Sequence, residues 1–330
     1  MQPIIAITIG DPAGIGPEVT AKALTHDEVW ACCRPLVVGD AGVMRRAAAL
    51  ARLGGGFHAI TDPSEACYDP AAPDLLDLAN VDPALQPGVV SVAAGVASAA
   101  FIERAVELAR TGQAAAMATG PINKAALKLA KIPYIGHTEM IAELLDSPRV
   151  TTMLATEGLR VVHVTRHVPL ADVAKEITHE NVLETVRLTD TGLRQMGIPQ
   201  PRIAVAALNP HGGDEGLMGR QEIEAIGPAV EDARSEGIAA TGPIPADSVF
   251  FRAIRGEFDV VVAMFHDQGH IPIKTHGFER SITVTLGLPI IRTSVDHGTA
   301  FDIAWKGVAN EESMVEAIRL AAQLVAGKRD

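Results

Sequence analysis

Aromatic residues are scarce in this sequence: they make up 4% of it, against 48% hydrophobic residues. The core must therefore be built from alanine, valine, isoleucine and leucine, which suits helices on a parallel sheet better than an aromatic-rich β-sandwich. Basic residues are also in deficit, with 28 Lys and Arg against 40 Asp and Glu and a net charge of −12. Nucleic acid and anionic membrane are excluded as partners, because both require a basic surface.

Cysteines are few and long apolar runs are missing. Cys32, Cys33 and Cys67 form no CxxC pair, so the sequence indicates neither a disulfide framework nor a thiolate zinc site. We expect all three to be buried or incidental, in a reducing cytoplasm. The N-terminal apolar run ends at Asp11 and follows no basic segment, which predicts neither a signal peptide nor a membrane span.

The chain reads as repeated βαβ units. Short β-branched runs such as IIAITIG and PLVVGD alternate with alanine-rich stretches such as AGVMRRAAALARL, a pattern typical of a mostly parallel sheet. Its 330 residues suit one large or two moderate domains.

Three longer segments can also be assigned. Segment 91–110 predicts a long helix packed on the sheet, and 311–326 predicts a last helix capped by Asn310. The Pro- and Asp-rich segment 62–88 predicts a loop excursion.

Glycines and polar residues cluster directly after predicted strands, at 10–18, 120–124, 209–213 and 266–269. Open α/β sheets bind ligands beyond the carboxyl ends of their strands, so we expect these four loops to converge on one cleft. The first loop, GDPAGIGPE, joins a strand to a helix but lacks the GxGxxG pattern; it suits a structural turn as well as a binding loop.

Polar residues are densest in segment 290–310, and three histidines stand at strand ends. That segment suits either a ligand site or a solvated loop before the final helix. The histidines, at 167, 211 and 266, are separated by 44 and 55 residues and match no local zinc signature. Each suits a hydrogen-bonded structural role, but their common position after strands favours a metal site.

Taken together, the motifs resemble one family. ITIGDPAGIGPEV, GPINKAAL, GHTEMIAELL, LNPHGGDEGLMG, GPIPADSVF, HDQGHIPIK and TLGLPIIRTSVDHGTA occur in the order seen in the 4-hydroxythreonine-4-phosphate dehydrogenase family. The resemblance implies two α/β/α domains with a cleft between them, as in isocitrate and isopropylmalate dehydrogenases. It places a discontinuous nucleotide-binding domain at 1–125 plus 285–330 and a metal- and substrate-binding domain at 126–284.

Site residues follow from this resemblance. The metal ligands correspond to His167, His211 and His266, one of them reaching across a homodimer interface. The substrate-binding residues correspond to His137, Thr138, Lys274, Thr283 and Arg292, with Thr283 standing where the family has asparagine. The cofactor-binding residues fall in two segments, at Gly14, Gly16, Asp296, His297, Thr299 and Asp302. Trp305 stands where glycine is usual, which marks a local difference at the adenosine end.

The implied reaction is oxidation of a secondary alcohol by NAD or NADP with a divalent cation, zinc first, with Co, Mg or Mn as alternatives. Asp247 and Lys274 are the candidate catalytic residues. Asp247 suits a base, a metal-proximal carboxylate or a helix N-cap, and Lys274 with Arg292 suits anion binding.

The expected substrate is a small anion, 4-phosphooxy-L-threonine, whose oxidation product decarboxylates to 3-amino-2-oxopropyl phosphate in pyridoxal phosphate biosynthesis. Thr283, His270 and Arg166 differ from the vitamin B6 enzymes and resemble paralogues acting on D-threonate or D-erythronate 4-phosphate, or on a terephthalate-type cis-dihydrodiol. A non-catalytic ligand-binding α/β protein, whose histidines only cap strands, is the alternative from a different class.

Overall fold

The computed structural model describes residues 2–327. Within them the chain forms two compact units, one comprising the chain up to Pro148 and from Leu288 onward, the other comprising Arg149–Gly287. Each unit is an α/β structure built on its own set of strands, and each is described separately.

The first unit contains six strands and seven helices among its described residues. Its strands are β1 (Ile4–Thr8), β2 (Arg34–Gly39), β3 (His58–Ile60), β4 (Asp74–Asp77), β5 (Ala116–Thr119) and β12 (Ile291–Val295). Its helices are α1 (Gly16–Ala23), α2 (Asp27–Cys32), α3 (Ala41–Ala51), α4 (Val92–Arg110), α5 (Lys124–Leu129), α6 (His137–Leu144) and α12 (Glu312–Gly327).

The strands of the first unit pair in the order β3-β4-β2-β1-β5-β12, and every one of these pairings is parallel. Ile5, Ile7 and Leu36 on the central strands are fully buried. Helix α4 packs on β1, β2 and β5, and α12 packs on β5 and β12. The core is aliphatic, with Phe101 as its largest fully buried side chain.

The second unit contains six strands and five helices among its described residues. Its strands are β6 (Thr151–Thr156), β7 (Leu159–His163), β8 (Ile203–Ala206), β9 (Ala240–Ile244), β10 (Val260–Ala263) and β11 (Ile282–Leu286). Its helices are α7 (Leu170–Glu176), α8 (His179–Gln195), α9 (Gly227–Ser235), α10 (Ala246–Ile254) and α11 (His266–Gly277). The order β11-β6-β7-β10-β8-β9 is antiparallel on both sides of β6 and parallel elsewhere.

The predicted α/β class is confirmed. Helices α4 and α12 match the two predicted helices, and Asn310 Oδ1 accepts a hydrogen bond from the Glu312 amide at 2.8 Å. Segment 62–88 is not a continuous loop, since it contains β4, whose four residues are too few to show a period. The sheet is parallel throughout only in the first unit.

The first compact unit runs to Pro148 and the second begins at Arg149; the family resemblance implies an approximate domain boundary at 125–126. Helices α5 and α6 pack on α4 and therefore belong to the first unit. The approach of α4 and α5 is close, because a β-carbon at Gly95 would lie 2.3 Å from the carbonyl oxygen of Ala126. None of the helices within residues 2–327 combines the length and apolar character needed to cross a lipid bilayer.

Candidate active site

Two segments predicted to bind the cofactor lie together in the first unit. A β-carbon at Gly14 would lie 2.9 Å from Cβ of Thr299, and the Ile15 amide donates to the Thr299 carbonyl at 3.0 Å. Gly16 is equally constrained, since a β-carbon there would lie 2.1 Å from the carbonyl oxygen of Ile9. Glycine at position 14 thus allows the GDPAGIG turn to pack against the HGT turn, and glycine at position 16 allows it to pack against the backbone of Ile9.

A buried ion pair fixes the same two segments to each other. Glu18 is fully buried and lies 2.8 Å from Lys22 Nζ, one helical turn along α1. The Glu18 carboxylate accepts the amides of Gly307 and Ala309, and Lys22 donates to the carbonyls of the same two residues. Glu18 and Lys22 therefore have a positioning role that their place in the sequence does not predict.

The rest of the predicted cofactor segment is more open. Asp296 and His297 are half-buried, and Asp302 is exposed. Trp305 adopts a left-handed backbone conformation with φ 63, which explains why glycine suits this position. Its indole Nε1 donates to the Pro12 carbonyl at 3.2 Å, so the ring also ties this segment to the first loop.

Asp11 is a fully buried carboxyl in the first loop. Its Oδ1 accepts the Ala13 amide at 2.8 Å, while its Oδ2 is buried without a hydrogen-bond partner among the described residues. Burial raises the pKa of Asp11 to about 6, and the bond from Ala13 opposes the shift. The folded chain therefore favours the protonated acid in weakly acidic solution.

Arg292 and His137 are basic neighbours in the first unit. Arg292 is 3% exposed and donates through Nε and Nη2 to Thr119 Oγ1 at 3.2 and 2.7 Å. Burial lowers the pKa of Arg292 to about 9, which leaves it protonated at neutral pH, and Glu139 opposes the shift. Burial also holds the pKa of His137 well below its usual range, helped by Arg292 and Lys124.

The position of His137 beside Arg292 suits the binding of an anion. His137 begins α6, where the amides of the first helical turn point outward. Its Nε2 is buried without a hydrogen-bond partner among the described residues. Thr138 follows on the same turn. A fixed cation, a neutral imidazole and a helix N-terminus together favour a phosphate or carboxylate.

Helix α11 presents a row of basic side chains in the second unit. His266 is its first residue, and His270 and Lys274 follow at intervals of four, which places all three on one face. The rings of His266 and His270 stack with centroids 3.6 Å apart. The sequence predicts a loop at 266–269; these residues instead form the first turn of α11, whose interior Pro272 obscures the helical pattern.

Two further histidines, His163 and His167, lie close to His266 and His270 of α11. The ring centroid of His167 lies 6.1 Å from that of His266, and His163 lies 4.8 Å from His270. His163 is 2% exposed, with its Nε2 buried and unpaired among the described residues. Burial lowers the pKa of His163 to about 3, with His270, His266 and Arg166 adding to the shift. The cluster therefore contains a neutral imidazole at its buried end.

His211 lies on a left-handed turn. The φ angles of residues 211–215 are all positive, including 54 at His211, 42 at Asp214 and 56 at Glu215. Side chains other than glycine pay a steric cost in this region, of order 1–2 kcal/mol each. Strain of this kind persists only where the surroundings fix the backbone, and it is concentrated at functional sites.

Glu222 holds the backbone of the His211 turn in this conformation. It is 5% exposed, and its Oε1 accepts the amides of Leu208 and Asn209 at 2.8 and 2.7 Å. Its Oε2 accepts Nδ2 of Asn209 at 2.8 Å, and a β-carbon at Gly213 would lie 2.8 Å from the same oxygen. The glycines and the asparagine of NPHGG thus stabilise the conformation of the turn. The side chain of His211 is exposed to solvent.

The donor set of the second unit fits a divalent cation in part. Two imidazoles bound to one tetrahedral Zn²⁺ have ring centroids roughly 5 Å apart, from Zn–N bonds of about 2.1 Å. His167 and His266 come within about 1 Å of this spacing at 6.1 Å. Among the described residues of a single chain, no ring contact joins His211 to either of them. The spacing of His167 and His266 therefore suits two ligands of one ion.

The remaining predicted residues are dispersed over the second unit. Lys274 is half-buried, and its Nζ lies 2.8 Å from Ser281 Oγ and 4.9 Å from the ring centre of Phe278. Thr283 is half-buried on β11, opposite Leu154 of β6. Asp247 is exposed in the first turn of α10, where Pro245 is the N-cap, so the N-cap alternative for Asp247 is wrong.

Comparison with known proteins identifies the class. The family model described as "Pyridoxal phosphate biosynthetic protein PdxA" matches residues 31–321. The chain is 48% identical to a 4-hydroxythreonine-4-phosphate dehydrogenase of Desulforapulum autotrophicum, covering 97% of this chain and 95% of the relative. It is also 48% identical to a D-threonate 4-phosphate dehydrogenase of Cupriavidus necator, covering 98% and 97%.

A solved structure agrees with these relatives. The crystal structure of a 4-hydroxythreonine-4-phosphate dehydrogenase from Burkholderia phymatum is 48% identical, covers 98% of both chains and has a TM-score of 0.87. These likenesses define a dehydrogenase that acts on a hydroxyl group. The chain belongs to the PdxA family, as its motif order predicted. A nicotinamide cofactor and a divalent metal are implied by that membership.

Proposed function

We propose that this enzyme oxidises the secondary hydroxyl of 4-phosphooxy-L-threonine with NAD or NADP. The observation that carries the proposal is the row His266, His270 and Lys274 on one face of α11, with His167 6.1 Å from His266. This face of α11 therefore offers imidazoles that can bind a cation and an ammonium group that can bind an anion. A non-catalytic binding protein has no need of that arrangement.

We propose that different side chains bind the cation and the anionic groups of the substrate. His167 and His266 would hold the divalent cation, zinc first, which as a Lewis acid lowers the pKa of a bound hydroxyl. Lys274 supplies a compact positive charge for a carboxylate or phosphate, and Arg292 a planar guanidinium that binds such a group through two hydrogen bonds. Oxidation of the 3-hydroxyl gives a β-keto acid, which loses CO₂ to leave 3-amino-2-oxopropyl phosphate.

We propose that the cofactor binds to residues of two segments, the GDPAGIG turn and segment 290–310, which Glu18 and Lys22 hold together. Gly14, Gly16 and Thr299 provide close-packed backbone, while Asp296, His297 and Asp302 provide polar groups beside it. A nicotinamide bound beside these segments would supply the acceptor for the hydride of the substrate carbon. Asp247, exposed near the His211 turn, is the base we propose for the hydroxyl proton.

We also propose a cytoplasmic homodimer in which a second copy supplies His211. Exposed apolar side chains lie beside the His211 turn, with Leu217 85%, Met218 54% and Ile223 47% exposed. Apolar groups clustered in this way are typical of protein interfaces. An exposed imidazole on a strained, rigid turn is well suited to reach a partner's cation.

D-threonate 4-phosphate is the second candidate substrate, because relatives named for the two substrates are equally similar to this chain. The two compounds differ only in an amino or a hydroxyl group at C2. Thr283 and His270, with Arg166 whose Nη1 donates to Thr152 Oγ1 at 2.9 Å, favour this alternative by resemblance.

Steady-state reduction of NAD and NADP tests the proposal. The candidates are 4-phosphooxy-L-threonine, D-threonate and D-erythronate 4-phosphates and a terephthalate-type dihydrodiol, each with added Zn²⁺, Co²⁺, Mg²⁺ or Mn²⁺. We expect fastest turnover of the phosphothreonine compound and none in His266→Ala. Faster turnover of another compound would move the assignment to that substrate, and no reduction with any of them would refute the proposed function.

A further inference from the structure

Three potential metal ligands of different types lie together at the edge of the first unit's sheet. His58 is on β3 and pairs in register with Asp74 on β4, while Cys67 lies on the segment connecting these strands. One ligand atom from each residue lies within 4.8 Å of the other two. Among residues 2–327, no other group of three or more His, Cys, Asp or Glu meets this limit.

Asp74 organises the group. Its side chain is fully buried, and its Oδ1 accepts both His58 Nδ1 at 2.8 Å and the Cys67 amide at 3.1 Å. Its Oδ2 accepts the Tyr68 amide at 2.6 Å. The carboxylate therefore fixes the imidazole and the backbone that carries the thiol before any ligand arrives. Such prior ordering reduces the entropy lost on binding.

The charge of Asp74 also calls for a cation. Within the described chain, His58 is the one basic group that lies within ion-pairing distance of this buried carboxylate. A divalent ion bound beside His58 would add positive charge next to the buried carboxylate. Cys67 is exposed and the His58 side chain is 43% exposed, so an ion can enter from solvent.

We propose that His58, Cys67 and Asp74 bind a divalent cation of the Zn²⁺ type, at a site separate from the histidine cluster of the second unit. A thiolate and an imidazole select Zn²⁺ over Mg²⁺ or Ca²⁺. Tetrahedral Zn²⁺ separates its ligand atoms by roughly 3.4–3.8 Å. The three ligand atoms lie within 4.8 Å of one another, so small side-chain rotations, of the exposed Cys67 and His58 above all, bring them to that spacing. The thiol proton leaves to solvent on binding, and water completes the coordination.

This site cannot be predicted from the sequence, because ligands at 58, 67 and 74 match no CxxC or HxxxH spacing. A bound ion would tie the connecting segment to β3, the edge strand of the sheet, and shield an edge that is otherwise open to pairing.

Cobalt titration tests the proposal with a readout that histidines do not give. A Co²⁺–thiolate bond produces charge-transfer absorption in the near ultraviolet, whereas the proposed catalytic ligands are imidazoles only. We expect one equivalent of this absorption in the wild type, its loss in Cys67→Ser and His58→Gln, and its displacement by Zn²⁺. Cys32→Ser is the matched control and keeps the absorption, as does the catalytically dead His266→Ala. Absence of the absorption in the wild type, or its persistence in Cys67→Ser, would overturn the proposal.

A second measurement uses the unmodified protein and so does not depend on the folding of variants. Iodoacetamide alkylates Cys67, and saturating Zn²⁺ is expected to slow that reaction by roughly tenfold or more, because a metal-bound thiolate is less available. Mg²⁺ should leave the rate unchanged, and the half-buried Cys32 serves as the internal reference. Equal alkylation of Cys67 with and without Zn²⁺ would refute the site.

Discussion

Gly269 lies directly against the imidazole of His163: a β-carbon at Gly269 would be 2.2 Å from His163 Nε2. The glycine is in the interior of α11, where alanine is ordinarily preferred by about 1 kcal/mol. Its retention allows β7 and α11 to approach closely enough for the histidine cluster to form.

Gly269→Ala should therefore destabilise the protein despite the better helix propensity of alanine. We expect a net loss of roughly 1–3 kcal/mol from the clash, with weaker metal binding because His163 and its neighbours are displaced. Urea denaturation and metal titration measure both effects. Gly54→Ala is the control, because nothing lies within 4 Å of the added carbon. A variant as stable as the wild type would show that the cluster adjusts freely.

Asp11→Asn should change how stability depends on pH. Because the folded-state pKa of Asp11 is raised from 3.8 to about 6, its contribution is complete below pH 3.8 and is lost as the pH rises through 6. Relative to Asp11→Asn, the wild type should lose on the order of 3 kcal/mol between pH 3.8 and 7.

Urea midpoints at a series of pH values measure this difference. Asp82→Asn is the matched control, because Asp82 is exposed and accepts the amide two residues on, as Asp11 does. Parallel curves for the wild type and Asp11→Asn would contradict the burial of an unpaired carboxyl oxygen.

A heterodimer of two inactive variants tests the sharing of the site between subunits. If His211 acts on the partner's cation, a dimer of one His211→Ala chain and one His266→Ala chain has one complete site. We expect about half of the wild-type kcat from the purified heterodimer, because a two-fold dimer has two equivalent sites.

The corresponding control pairs His167→Ala with His266→Ala, which removes one ligand from each site and should give no activity. Activity in this control, or none in the first heterodimer, would exclude the shared arrangement. Sedimentation of the wild type gives the oligomeric state independently.

Arg292→Lys should raise the KM for the phosphorylated substrate more than it lowers kcat. The planar guanidinium is held by Thr119 Oγ1 and remains charged, and a lysine cannot reproduce its two-point contact. The loss of a charge-assisted pair of hydrogen bonds corresponds to roughly a tenfold to hundredfold higher KM.

Initial-rate kinetics measure this effect, and competition by inorganic phosphate should weaken in parallel. Arg280→Lys is the control, because the Arg280 side chain is 55% exposed and forms a surface ion pair, with Nη1 3.9 Å from Glu157 Oε2. An unchanged KM would remove Arg292 from anion binding.

Much of the fold followed from the sequence. Hydrophobic period and turn residues located β1, α4 and α12, because strong local patterns decide element type. The order of the motifs identified the family, which the family match confirms. The helix at 266–277 was missed, since Pro272 and two glycines weaken its local pattern.

The sequence by itself determined the α/β class, the family and the residue types available for chemistry, because those depend on patterns between neighbours in the chain. Only the tertiary structure decided that the rings of His163 and His270 lie next to that of His266. It likewise decided that Cys67 lies close to His58 and Asp74. It also decided that Glu222 clamps the turn of His211. Such groupings depend on which strands lie side by side and how deeply a side chain is buried, and neither is encoded in local spacing.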